Sequence, residues 1–302
     1  MPLHINRMSV KRLVLLAVTL GGIVWLTLPL WFGGATPMQT ARILIEDRKF
    51  GMRALGMGKY WGDNIIEPLR EASNNFRHLN ERNAFWVAEL LAKNQSSRSN
   101  ELSLELYRRD TLIPKLVGAI GLAGHKKLPT EAFQQHGELR RILVSEGYLY
   151  HTDSNGSKWY TDTSLLELTL IAAEYAQSRD SVPDVIALIE KRPLPYWVHA
   201  HAADALGAIG DKRAILPLET AMQSSDFYAL PNAFRALVAL SSNRAVPLAI
   251  ERISPEIKGK NSGFLVNELE GVTGKNFGSD QARWKEWWAT QAASTKPNRP
   301  SP

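Results

Sequence analysis

The chain is 302 residues long, with 44% hydrophobic and 22% charged residues and a formal charge of +6 from 36 basic and 30 acidic side chains. That length can bury a core in one large domain or two small ones, and the composition is that of a folded protein. The positive excess forms no block, which argues against nucleic acid as a partner; the absence of cysteine excludes disulfides, thiolate metal sites and cysteine nucleophiles.

Residues 1–12 read as a cytoplasmic tail carrying Arg7, Lys11 and Arg12. The run that follows, "LVLLAVTLGGIVWLTLPLWF" from Leu13 to Phe32, is 20 residues without a charge. As a helix it crosses a hydrocarbon core of roughly 30 Å while satisfying its own backbone. Trp31 stands at its far end, where an indole suits the interface. Residues 13–33 are therefore read as a transmembrane anchor that makes the lipid bilayer one of the partners. A cleaved signal is the alternative, because Gly33 and Ala35 have the small-residue spacing of a cleavage site. Basic residues lie on both sides of the span, with Arg42, Arg48 and Lys49 after it. The preceding ones sit closer to the apolar edge, which favours an N-terminus in the cytoplasm and the bulk of the chain outside. The implied location is a bacterial inner membrane, crossed once, with an extracytoplasmic C-terminal domain.

Residues 37–163 form an N-terminal helical region. "MQTARILIEDRKFGMRAL", "NAFWVAELLAKN", "LIPKLVGAIGLAG" and "GELRRILVSEG" place apolar residues at three- and four-residue spacing, as amphipathic helices require. Whether these are worn repeats or a separate helical domain stays open. One stretch differs: "GYLYHTDSNGSKWYTDT", residues 147–163, alternates aromatics around Asn155-Gly156 and predicts a hairpin or an ordered loop. Its Tyr148, Tyr150, Trp159 and Tyr160 are candidate partner contacts, because aromatics on a loop anchor interfaces; the alternative is that they pack back on the helices.

From residue 164 the chain repeats itself. "AADALGAIGDKRAILPLETAM" set over "AFRALVALSSNRAVPLAIERI" matches Leu206 with Leu237, Ile209 with Leu240, Arg213 with Arg244 and Ala214 with Ala245. The offset is 31 residues, and a weaker copy 31 residues earlier puts Tyr175 under Leu206 and Asp180 under Asp211. Repetition at that period is the mark of a solenoid. Gly210 is suited to a left-handed helix exit, and Asp211 to capping the next helix; Ser241, Ser242 and Asn243 take those places in the next unit. Ile215, Leu218 and Met222 make a second apolar face, so neither helix of a pair can bury its apolar surface alone.

"HAADALGAIGDKRAILPLETAM" resembles the short HEAT-like repeats of the kind shared with phycobilin lyase subunits, over residues 166–253. The resemblance implies an α-solenoid whose usual work is protein–protein interaction. It also admits an alternative, a lyase-like enzyme handling a bilin or tetrapyrrole. Residues 164–255 are assigned to these repeats and 256–293 to a C-terminal cap. The tail, 294–302, is too rich in Pro and Ser to fold.

In the cap, Leu265, Leu269 and Val272 line a helix ending at Thr273-Gly274, and Ser279 or Asp280 caps the next one. There Trp284, Trp287 and Trp288 fall at i, i+3 and i+4 and are expected to cover the open apolar end of the stack; a ligand or membrane contact is the alternative. The predicted fold is thus all-α: an α-solenoid of stacked antiparallel helix pairs behind a transmembrane helix, with a small hairpin or ordered loop near 147–163.

Chemistry is sparse. His199 and His201, two residues apart, point different ways on a helix, and His201 with Asp204 lacks a third metal ligand. "DSNGSKWYTD" lacks the glycine and the terminal glutamate of a calcium loop. "GMRALGMG" follows no strand, so it is no phosphate cradle. No catalytic, cofactor or metal site is assigned. The function expected is a scaffold or assembly factor holding a protein partner near the membrane, not an enzyme.

Overall fold

The computed structural model describes residues 36–46, 56, 58–59, 61–73, 81–145, 150–152, 158–160, 164–191, 195–224, 229–253 and 260–294. The expected tail, anchor and cleavage site, Tyr148, and residues 295–302 lie outside them. Among the described residues no helix is long and apolar enough to cross a membrane. The chain divides into two compact units, Met1–Leu102 and Ser103–Pro302.

In the first unit, α1 (Pro37–Glu46) starts on a reciprocal cap. The Thr36 amide donates to Gln39 Oε1 (2.8 Å), and the Gln39 amide to Thr36 Oγ1 (3.2 Å). Proline at the first helical position, which has no amide to satisfy, completes the start. Ala41, Leu44 and Ile45 fall on one face and are fully buried. That face packs on α2 (Ile66–Ala72) and α3 (Glu81–Lys93), whose Leu69, Val87, Ala88 and Leu91 are buried in turn. Helix α4 (Ser97–Tyr107) follows, and the division between the units falls within it.

The second unit is a two-row stack. One row contains α5 (Leu112–Gly124), α7 (Ser164–Ala176), α9 (Tyr196–Ile209), α11 (Leu230–Ala239) and α13 (Lys260–Thr273). The other contains α6 (Glu138–Val144), α8 (Val182–Glu190), α10 (Ile215–Gln223), α12 (Ala245–Arg252) and α14 (Gln281–Ser294). Every helix packs on the next in its row, and each second-row helix from α6 to α12 leans on the following first-row helix. The stack thus begins at α5, one pair before the similarity visible in the sequence. Between α6 and α7, strands β1 (Tyr150–Thr152) and β2 (Lys158–Tyr160) pair antiparallel, with Tyr150 opposite Tyr160 and His151 opposite Trp159.

Small residues set the spacing within the first row. A Cβ on Gly207 would lie 2.8 Å from Ala236 Cα, so α9 and α11 approach as closely as backbones allow. Around that contact Ala202, Ala203, Leu206, Ala233, Phe234 and Leu237 are all fully buried.

The exits of the first-row helices share one geometry. Lys126, Gln177, Gly210, Ser241 and Gly274 have φ of 57°, 49°, 74°, 59° and 67° and end α5, α7, α9, α11 and α13 respectively. In three of them the next amide reaches back five residues: Lys127 to Leu122 (2.8 Å), Ser178 to Ala173 (3.1 Å) and Ser242 to Leu237 (2.9 Å). This satisfies carbonyls that the helix end would otherwise orphan.

The same geometry corrects the register of the weak copy. Gln177, not Asp180 less one, is the counterpart of Gly210, so Ala173 lies under Leu206 and Ser178 under Asp211. The spacing there is 33 residues, not 31, and α9 at 14 residues is longer than α11 at 10. A side chain other than glycine at the exit hid the alignment. Two face assignments also shift. Ile215 is only half-buried beside fully buried Leu218 and Met222, and Val272 is 46% exposed. Val272 sits in the last turn of α13, and that helix's buried side is Leu265, Val266 and Leu269.

Candidate functional site

The turns between rows are stitched by arginines. Asp211 caps the short 3-10 turn Lys212–Ala214 by accepting the Arg213 amide (2.9 Å). The Arg213 guanidinium returns to that carboxylate (2.7 Å) and also donates to the Arg179 carbonyl of the preceding turn (3.2 Å). The side chain and amide of Arg213 together hold the Asp211 carboxyl down to about 2. One unit later Arg244 donates to Glu219 Oε2 (2.9 Å), and Ser242 Oγ donates to Glu219 Oε1 (2.6 Å). Glu219 is buried, so both oxygens need these partners. Between α6 and α8, Arg140 makes a fork to Asp184 at 2.7 and 3.3 Å.

A polar seam crosses the first row. Arg235 of α11 donates to Asp204 Oδ1 of α9 (3.1 Å) and to Glu268 Oε1 of α13 (2.7 Å), while Asn232 Nδ2 donates to Asp204 Oδ2 (2.7 Å). Glu174 of α7 continues the seam, its carboxyl raised by burial and then by the Asp204 charge, against the pull of Arg235. None of these residues was singled out as a seam from the sequence. The signal available was the repeat itself, since Asp204 and Arg235 are 31 residues apart.

The second row presents a cleft of about 240 Å³ between α8 and α10, lined by Ile189, Glu190, Pro217, Thr220, Ala221 and Ser224. Leu216, one helical turn from Thr220 on the same side of α10, is 69% exposed.

Of the residues marked in advance, Trp284 is fully buried. Its indole N–H donates to the Gly278 carbonyl (2.9 Å), and its ring meets Phe277 and Trp287 edge-on at 4.9 and 5.7 Å. Trp287 and Trp288 are half-buried, because they flank Trp284 on the last helix of its row. Asp280 is the capping residue, its Oδ1 accepting the Arg283 amide (3.1 Å), and α14 is tied to α12 by Gln281 Nε2 on the Ile250 carbonyl (2.8 Å).

Tyr150, Trp159 and Tyr160 lie in the paired strands, which bring Tyr150 and Tyr160 into register. The two histidines part as their spacing requires. His199 is buried, with Nε2 at 3.3 Å from the Lys191 carbonyl, and His201 faces Glu167 of α7 at 3.9 Å. Among the described residues no group of His, Asp and Glu is arranged to hold a metal ion.

Rows of packed helix pairs with recurring exits and inter-turn arginines define this unit as a helical-repeat protein of the solenoid class. Residues 198–224, from the buried face of α9 through Gly210-Asp211 to the end of α10, match the family described as PBS lyase HEAT-like repeat. That segment is a HEAT-like repeat, and the pairs stacked before and after it share its turn geometry. No curated protein matches the chain.

Proposed function

We propose that this protein is a membrane-anchored scaffold or assembly factor. In this reading the span 13–33 tethers it to a bacterial inner membrane and the repeat stack stands on the extracytoplasmic side, where it holds a protein partner without covalent chemistry. The observation that supports the reading is the second row, where the α8–α10 cleft lies beside Leu216 at 69% exposure. A stacked row offers a long, rigid surface whose shape is set before the partner arrives, which lowers the ordering cost of association.

The test is crosslinking and recovery of the full chain from membranes, with Leu216→Glu as the variant. A charge at the centre of a partner contact costs on the order of 2 kcal/mol or more, so recovery of a stoichiometric partner falls at least tenfold while the melting curve is unchanged. Equal recovery from the variant, or no partner in several detergents, ends the reading. The matched repeat's description also names a lyase family. A lyase-like role predicts visible absorbance on the protein after co-expression with tetrapyrrole synthesis.

A further inference from the structure

We propose that the edge of the stack where second-row helices hand over to first-row helices lies against the bilayer interface, with Tyr196, Trp197 and Phe264 as contact residues. The inference rests on the anchored reading above and adds which surface faces the lipid.

The two edges of the stack differ in chemistry. On one edge, the turns that leave α7, α9 and α11 (residues 177–181, 210–214 and 240–244) contain no aromatic residue and carry Arg179, Lys212, Arg213 and Arg244 with Asp180 and Asp211, and the aromatics after α5 and α13, Phe133 and Phe277, are buried and half-buried. In the sequence, Trp159-Tyr160 precede α7, Tyr196-Trp197 begin α9 on the opposite edge, and Phe227-Tyr228 precede α11. The second and third of these pairs are 31 residues apart, so the aromatics belong to the repeat.

The seam fixes the height of these residues. Arg235 bonded to both Asp204 and Glu268 levels α9, α11 and α13. Trp197 lies seven residues before Asp204 and Phe264 four before Glu268, so they rise about 10 and 6 Å from the seam toward the same edge. Tyr196, Trp197 and Phe264 are exposed to 56%, 41% and 59%, and the Tyr196 and Trp197 rings meet edge-on at 5.2 Å.

Exposed indole and phenol rings, apolar with a polar tip, are the side chains that settle at the headgroup level of a membrane. In the sequence, the segments that connect second-row to first-row helices, 145–163, 191–195, 224–229 and 253–260, hold equal numbers of acidic and basic residues. The contact therefore depends on aromatic burial rather than on attraction to anionic lipid. A tether ending at residue 33 keeps the surface at high effective concentration, so a weak contact suffices.

The chain's lack of cysteine makes the test direct. Full-length variants Trp197→Cys, Tyr196→Cys and Phe264→Cys, with Lys212→Cys and Leu216→Cys as references, are labelled with a polarity-sensitive fluorophore. Each is reconstituted into zwitterionic phosphatidylcholine vesicles containing lipid brominated near the headgroup. The expected result is quenching at 196, 197 and 264 about twofold or more above that at 212 and 216, unchanged by salt. Protein that floats with the vesicles but shows no such difference overturns the proposal and leaves the anchor standing. So does quenching at every position alike, or crosslinking of the 197 label to a protein in cell membranes without lipid quenching. Protein that fails to float removes the anchored reading and this inference together.

Discussion

At the residue scale, the seam and the turns place carboxylates in opposite situations. Asp211 is held down to about 2 by Arg213, so the stability it lends is fully present above its unfolded value of 3.8 and is lost progressively as the pH falls from there through about 2. Glu174 is the reverse. Burial raises its carboxyl above the usual 4.5, so its charge is a cost that grows as the pH climbs through that raised value. Glu174→Gln removes the cost. The expected outcome is a higher Tm at pH 7, with the gain shrinking to nothing below about pH 4.5, measured by circular dichroism melts across pH. A gain that persists at pH 4 would assign the effect to packing instead.

At the element scale, the first-row exits show how a repeat survives loss of its signature. Each exit needs a left-handed residue, yet only Gly210 and Gly274 supply the residue that takes this conformation freely. Lys126, Gln177 and Ser241 adopt it under the constraint of their backbone bonds and packing, at a local cost. Gln177→Gly relieves that cost and gives back part of it through the freer unfolded chain. The variant should gain about 0.5–1 kcal/mol, read as a shift of the denaturant midpoint of the second unit. Gly210→Ala should move the midpoint the other way.

At the scale of the whole molecule, a stack is stable only because each pair lends its neighbour a face, and the ends are exceptions to that rule. The last second-row helix, α14, is attached by Gln281 at its start and by the fully buried Trp284 in its first turn. Trp284→Ala should cost about 3–5 kcal/mol locally. The loss should begin at the C-terminal end, so hydrogen exchange in α12 and α14 accelerates before that in α7 does. Uniform acceleration along the stack would mean that it unfolds as one block.

The sequence by itself determined that the helix pairs within residues 196–252 repeat at 31 residues, because period, small residues and the Gly210-Asp211 turn are local properties. It also determined that Trp284, Trp287 and Trp288 share a helix face, since that follows from 3.6 residues per turn. Only the tertiary structure decided that the stack begins at α5, that the earlier unit is offset by 33, and that Trp284 alone of the three indoles is fully buried. It alone brought Asp204, Asn232, Arg235 and Glu268 together from three helices. The reason is physical: a helix end will accept Lys, Gln or Ser in a left-handed exit when packing holds it there, and which flank of a face stays open depends on the neighbour, not on the helix.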